Sequence, residues 1–275
     1  MPGRMTSKRC KLQNGIAVTL RAVLQWALPA LLITIGASAV SADEIRVFSG
    51  GAPQHVLQSL APEFEKATGH KLDFTFALVT AIQQKLAAGE KADIVMLPAP
   101  LLSVVEKALP FETGSRTSIA RVGIGVIGPS SAKHVGISTA DAVRTALLDA
   151  RAVAFPDPST PSGGHLARML DQLGIAEKVR PKIINKAAIH GGGDLVAKGE
   201  ADLGFYLLSE VNRIPGITVM GLLPPALQSY VEYAAAIPAG SAHLSGAKLL
   251  IRFLTDPSRR SQWLASGFEL AAEAK

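Results

Sequence analysis

KLAAGEKADIVML (Lys85–Leu97) and LVAKGEADLGFYL (Leu195–Leu207) share one design at two distant points of the chain. Each runs from a helix end through Gly-Glu and Ala-Asp into an apolar run. Glycine after the last periodic residue stops a helix. A short apolar run bounded by turn residues reads as a buried strand. Two such units, spaced much too far apart for a solenoid, predict two α/β lobes of related build. Two lobes imply a cleft between them, a common place for a small ligand.

Outward from these stretches the pattern is strand, then helix, repeated. IRVF (Ile45–Phe48) reads as a short strand. QHVLQSLAPEFEKAT puts Val56, Leu57, Leu60 and Phe64 on one helical face, ending at Gly69. KLDFTF alternates as a strand, and TAIQQKLAAG follows as a helix. The second half restarts with RVGIGVIG as a glycine-containing strand and STADAVRTALLDA as a helix capped by Ser138 or Thr139. AVAF, ADLGFYLL and SYVEYAAAIPAG read as further strands, and two helices close the chain, over residues 243–254 and 257–265. This alternation predicts an α/β fold with mainly parallel sheet.

The net charge of +6 would suggest a phosphate-rich partner, but the charges are unevenly placed. Residues 1–42 hold Arg4, Lys8, Arg9, Lys11 and Arg21 and no acid, leaving 23 basic against 22 acidic residues elsewhere. No nucleic-acid or membrane-surface patch is implied. The basic segment precedes AVLQWALPALLITIGASAV and small residues end it, the layout of a secretory signal cleaved after Ala42. The apolar core, broken by Pro29, is shorter than the ~20 residues a membrane span needs. The single Cys10 lies in that segment, so a mature chain from residue 43 has no disulfide and depends on its core.

GIGVIG (Gly123–Gly128) matches a dinucleotide-binding spacing, but its glycines lie inside an apolar strand and Pro129 follows, so they read as structural. Neither G-x-S-x-G nor H-E-x-x-H occurs, and the six histidines show no metal-ligand spacing. Glycine or hydroxyl residues do recur at strand-to-helix turns: FSGGAP, with Ser49, Gly50, Gly51 and Ala52; FALVTA, with Thr80; TPSGGH, with Ser162, Gly163, Gly164 and His165; IHGGGD, with Ile189 and His190. In α/β sheets ligands gather beyond the carboxyl ends of strands, where such turns lie. Any one of them alone is an ordinary turn; together they point to a ligand cleft built from N–H groups rather than charged side chains. The TPSGGH turn opens a helix, so it is expected to present the N–H groups of Ser162, Gly163 and Gly164 to an anion. A secreted enzyme in the same fold would rely on His165 and His190, with Asp194 beside them.

IRVFSGGAPQHVLQSLAPEFEKATGHKLDFTF, AAGEKADIVML, GEADLGFYLLSE, VEYAAAIPAG and AKLLIRFLTDPSRRSQWLASGFEL together resemble the periplasmic substrate-binding proteins of ABC importers, the two-lobed type II kind, and within them the molybdate-binding family. The resemblance implies an exported monomer with no cofactor that is not an enzyme. It would capture a small anion in an interlobe cleft and deliver it to a membrane permease, with a molybdate- or tungstate-like oxyanion the leading ligand. It places lobe one at residues 43–120 plus 232–275 and lobe two at 121–231. The family pattern is only partly kept. Its first-turn serine falls on Ala52 and its second on Thr80; the proline, small residue and glycine of its third turn fall on Pro161, Ser162 and Gly163. Its fourth position falls near Ile189, and its tyrosine falls on Leu207, with Tyr206 one residue away on the opposite strand face. Missing hydroxyls and two histidines leave a small organic carboxylate as the alternative ligand.

Overall fold

The computed structural model describes residues 43–132 and 134–270; the secretory-signal reading of residues 1–42 lies outside them. The first half alternates as its periodicity predicts: β1 (Glu44–Ser49), α1 (Gln54–Thr68), β2 (Lys71–Phe76), α2 (Val79–Ala87), β3 (Ile94–Pro98), α3 (Ala99–Glu106). α1 buries Val56, Leu57, Leu60 and Phe64, and Gly69 ends it in the left-handed conformation, its N–H bonded to Glu65 O.

β4 (Thr117–Pro129) is the long apolar strand containing GIGVIG, and no helix opens on its glycines. Next come α4 (Ala140–Asp149), β5 (Val153–Phe155), α5 (Pro161–Gln172), α6 (Ala176–Val179) and β6 (Ile183–Asn185). Of the two cap candidates for α4, Thr139 does the work, its side chain accepting the Ala142 N–H at 3.1 Å. The chain continues through α7 (Gly192–Ala197), β7 (Leu203–Leu207), α8 (Leu208–Val211), β8 (Ile217–Leu222) and β9 (Tyr230–Ala236). It closes with α9 (Leu244–Thr255), α10 (Arg260–Ala265) and β10 (Phe268–Leu270).

The strands lie in the order β2-β1-β3-β9-β4-β7-β5-β6, with β8 and β10 also paired to β4. Parallel pairing is confined to the outer strands: β1 with β2 and β3, and β5 with β6 and β7. β4 and β9 run antiparallel to every strand they meet, which corrects the expectation of a mainly parallel sheet. The reason is topological. These two strands carry the chain across and back, and antiparallel neighbours need no helical crossover.

The paired sequence stretches prove structurally equivalent. Asp93, before β3, accepts the Arg46 N–H at 2.9 Å; Asp202, before β7, accepts the Arg151 N–H at 2.7 Å. In each unit one aspartate ties the start of a strand to its parallel neighbour.

The change of partners along β4 has its own fastening. β4 pairs with β9 up to Gly123 and with β7 from Ile124 onward. At that junction the Gln228 amide stands in for a strand, accepting the Ile124 N–H at 2.9 Å and donating to Ile124 O at 3.1 Å. A Cβ on Gly123 would lie 3.1 Å from that amide nitrogen, so glycine suits the close approach. Nearby, Arg121 bonds Glu269 of β10 at 2.6 Å and stacks on Tyr230, 4.3 Å from its ring centre.

Candidate functional site

The carboxyl ends of β1, β2, β3, β5, β6 and β7 converge on one cleft. Gly51 follows β1, Ala77 to Val79 follow β2, and Pro98 ends β3. Opposite them stand Pro156 after β5, Ala187 to Ile189 after β6, and Leu207 at the end of β7. Val231 and Tyr233 of β9 form the floor, and Thr160, Pro161 and Ser162 bring in the N-terminus of α5. The inner cavity measures about 60 Å³. A polar groove of about 300 Å³ adjoins it through Gly51, Ile189 and Glu210. A second groove of about 530 Å³ adjoins it through Val79, Thr160 and Ala187, with Thr80, Lys186 and His190 on its wall.

A further cavity, of about 580 Å³, lies elsewhere, between α4 and the entry to β7. None of the glycine turns after β1, β2, β5 and β6 reaches it, so the cleft is the better-founded site.

The structure assembles only some of the sequence-predicted residues. Gly51, Ser162 and Ile189 meet in the inner cavity, while Thr80 and His190 stand in the outer groove. Ser49 is fully buried and its hydroxyl donates to Gly50 O at 3.0 Å. The Gly50 N–H bonds Met96 O. Tyr206 faces away from the cleft, as its strand parity requires, and donates to Lys186 O at 3.0 Å, while Leu207 faces in. The Nε2–H of His165 donates to Leu227 O at 2.8 Å. His165 and His190 therefore do not converge, and Asp194 lines the other groove.

The glycines of the α5 turn differ from expectation too. The Gly163 N–H goes to the Thr160 hydroxyl at 3.1 Å and the Gly164 N–H to Thr160 O at 2.8 Å. Thr160 thus caps α5. Gly163 is required because a Cβ there would lie 2.0 Å from Asp157 O. Of the three residues expected to present N–H groups, Ser162 is the one that Thr160 does not engage, and its side chain lines the cavity. In the HGGG turn, Gly192 is held within 2.5 Å of the Tyr206 hydroxyl at its Cβ position, so that glycine also serves packing.

Two polar residues of the inner cavity were not among the sequence candidates. Glu210, on α8 three residues beyond β7, lines both the cavity and the polar groove. Burial pushes its carboxyl up to about 7. Tyr233 is buried on the floor, its ring and hydroxyl beside Gly50. Burial first, and the nearby Glu210 second, raise its ionisation well above the ordinary range, so it keeps its proton. The signal for Tyr233 was the alternation Val231, Tyr233, Ala235 on one strand face. For Glu210 it was an acid three residues past a buried strand end.

A family model described as bacterial extracellular solute-binding protein matches residues 45–269. The chain belongs to that family. Among its relatives, aconitate isomerase from Pseudomonas sp is 32% identical over 218 residues, covering 76% of this chain and 81% of that protein. The molybdate-binding protein ModA of Escherichia coli (strain K12) is 25% identical over 234 residues, covering 83% and 91%. The solved periplasmic molybdate-binding protein of Azotobacter vinelandii superposes with a TM-score of 0.70 at 19% identity, over 82% of this chain and 99% of that one. The solute-binding family therefore supplies both the fold and the general activity class, with the two-lobed α/β architecture expected from the sequence.

Proposed function

We propose that this member of the solute-binding family captures a small organic carboxylate in the cleft and delivers it to the permease of an ABC importer. The observation that carries the reading is the composition of the inner cavity. Its walls are largely hydrocarbon, from Leu78, Val79, Ile189, Leu207 and Val231, with Ser162 and the α5 N-terminus at one side. A tetrahedral oxyanion needs most of its oxygens hydrogen-bonded. Here Ser49 is turned to backbone, Ala52 has no hydroxyl, and Glu210 adds a carboxyl where such an anion would lie. A carboxylate presents two oxygens to the α5 end and a carbon skeleton to the apolar walls. The grooves on either side leave room for more than one carboxyl group. The relative named as an aconitate isomerase supports this choice.

We assign lobe one to residues 43–120 plus 232–275 and lobe two to residues 121–231, joined through β4 and β9 and closing by hinge motion. The protein then works in the periplasm as a monomer. Molybdate or tungstate is the second reading, favoured by the molybdate-binding relatives.

Thermal unfolding of the purified protein against molybdate, tungstate, sulfate, phosphate and mono-, di- and tricarboxylates tests the assignment. A ligand at a hundred times its Kd adds about 2.7 kcal/mol of stability. Stabilisation by carboxylates alone is expected. Stabilisation by molybdate and tungstate alone would restore the oxyanion reading.

A further inference from the structure

An acid is an odd lining for a cleft that receives an anion. Glu210 is nevertheless the one charged side chain lining the inner cavity, and with Gly51 it lines the polar groove as well. Among the described residues no hydrogen bond or ion pair holds its carboxyl. A ligand carboxylate lying in the cavity, or reaching from it into the groove, therefore meets a bare carboxyl with no cation beside it to offset the charge. Two ionised carboxylates in that position repel each other. A protonated carboxyl facing an ionised one makes a short charge-assisted hydrogen bond instead.

We infer that Glu210 holds the ligand as an acid, donating its O–H to a ligand carboxylate oxygen, so that capture fixes one proton on the protein. This rests on the carboxylate reading given above. Ser162 and the α5 N-terminus supply donors from the opposite wall, so Glu210 completes the set from α8. Where Glu210 is ionised before capture, its proton comes from bulk water and returns there on release. No bond of the ligand is made or broken.

The surroundings suit the role. Burial brings the Glu210 carboxyl to about 7, so both of its forms are present at neutral pH. The titratable groups around it are His55 of α1, Tyr206 of β7, Tyr233 of β9, Asp194 of α7 and His190 in the turn before α7. Asp194 and the Lys186 ammonium flank Gly191, and Arg121, the charged residue of β4, is engaged by Glu269. None of these groups bonds the Glu210 carboxyl. The sign follows. Below pH 7 the free protein already carries the proton and capture takes up little. Above pH 7 the proton must be regained, so affinity falls as pH rises.

Proton counting by titration calorimetry tests this. The full chain is titrated with acetate, succinate and tricarballylate at pH 7 and pH 8, each in two buffers of different ionisation enthalpy. At pH 8 the three acids are fully ionised, so any proton taken up belongs to the protein. Wild type should take up about half a proton per ligand at pH 7 and close to one at pH 8, with affinity about fivefold weaker at pH 8. E210Q, whose amide N–H donates without titrating, should bind equally at both pH values and take up none. Binding by wild type with no proton uptake at pH 8 overturns the inference and leaves the carboxylate assignment standing. Uptake that persists in E210Q does the same, since it would place the proton on His55 or His190. The wild-type count decides the matter by itself if E210Q does not fold. If none of the three acids binds wild type, the carboxylate assignment fails and the inference fails with it.

Discussion

Glu210 reaches across the cleft to Gly51: its Oε1 stands 3.5 Å from the point a Cβ on Gly51 would occupy, and Ile189 stands equally close. These are ordinary van der Waals separations, so a methyl group fits there without displacing anything. G51A should keep the melting temperature within about 2 °C of wild type. It should lower affinity for the cleft ligand roughly tenfold by titration calorimetry, because the methyl narrows the passage between cavity and polar groove.

Glu210 should also leave a mark on stability. Its carboxyl has an ordinary value of 4.5 and is raised to about 7 in the folded chain. Below pH 4.5 it is neutral in both states. Between pH 4.5 and 7 the unfolded chain releases a proton that the folded chain keeps, so stability falls as pH rises. Above pH 7 the folded state holds the buried charge in full. Denaturant unfolding from pH 4 to pH 8 should show wild type losing about 3 kcal/mol relative to E210Q. Parallel curves for the two proteins would contradict the burial of this group.

Thr160 links the cap of α5 to the cleft. T160A removes the acceptor of the Gly163 N–H and should cost about 1 kcal/mol, a fall of about 2–4 °C in melting temperature. Ligand affinity should fall as well, because the first turn of α5 loses its anchor to Asp157 O. T160S should restore both.

His165 and Ser162 separate support from cleft. H165A breaks the bond to Leu227 O and should cost about 1 kcal/mol in chemical denaturation, with affinity within twofold of wild type. S162A should do the reverse, lowering carboxylate affinity at least tenfold with little change in stability.

Much of the architecture was readable because it rests on local periodicity. KLDFTF became β2 residue for residue, and Gly69 stops α1 where its φ of +79° permits. The echo of Gly-Glu and Ala-Asp was readable because each aspartate repeats one backbone contact. The antiparallel run of β4 and β9 was not readable as such, since strand direction depends on where the chain returns. The site was legible as a set of turns but not residue by residue. Gly163 looked like an N–H donor, yet its place is fixed by Asp157 O. Glu210 drew no reading from the sequence; the convergence of six strand ends is what brings it to the cleft. A hydroxyl or glycine has the same appearance in sequence whether it meets a ligand or its own backbone.

The Gln228 amide at the junction of β4 and β9 has a consequence for timing. A joint held by one side chain, rather than by a continuous backbone ladder, has a stiffness that a single substitution can reset. Q228A would loosen the joint and leave every cleft-lining residue in place, and Q228E would exchange a donor for a charge beside Ile124 O. Capture and release rates could then drift together over evolution while selectivity stayed the same. On the proposed reading, the part that would set the rate of closing and the parts that would choose the ligand are separate.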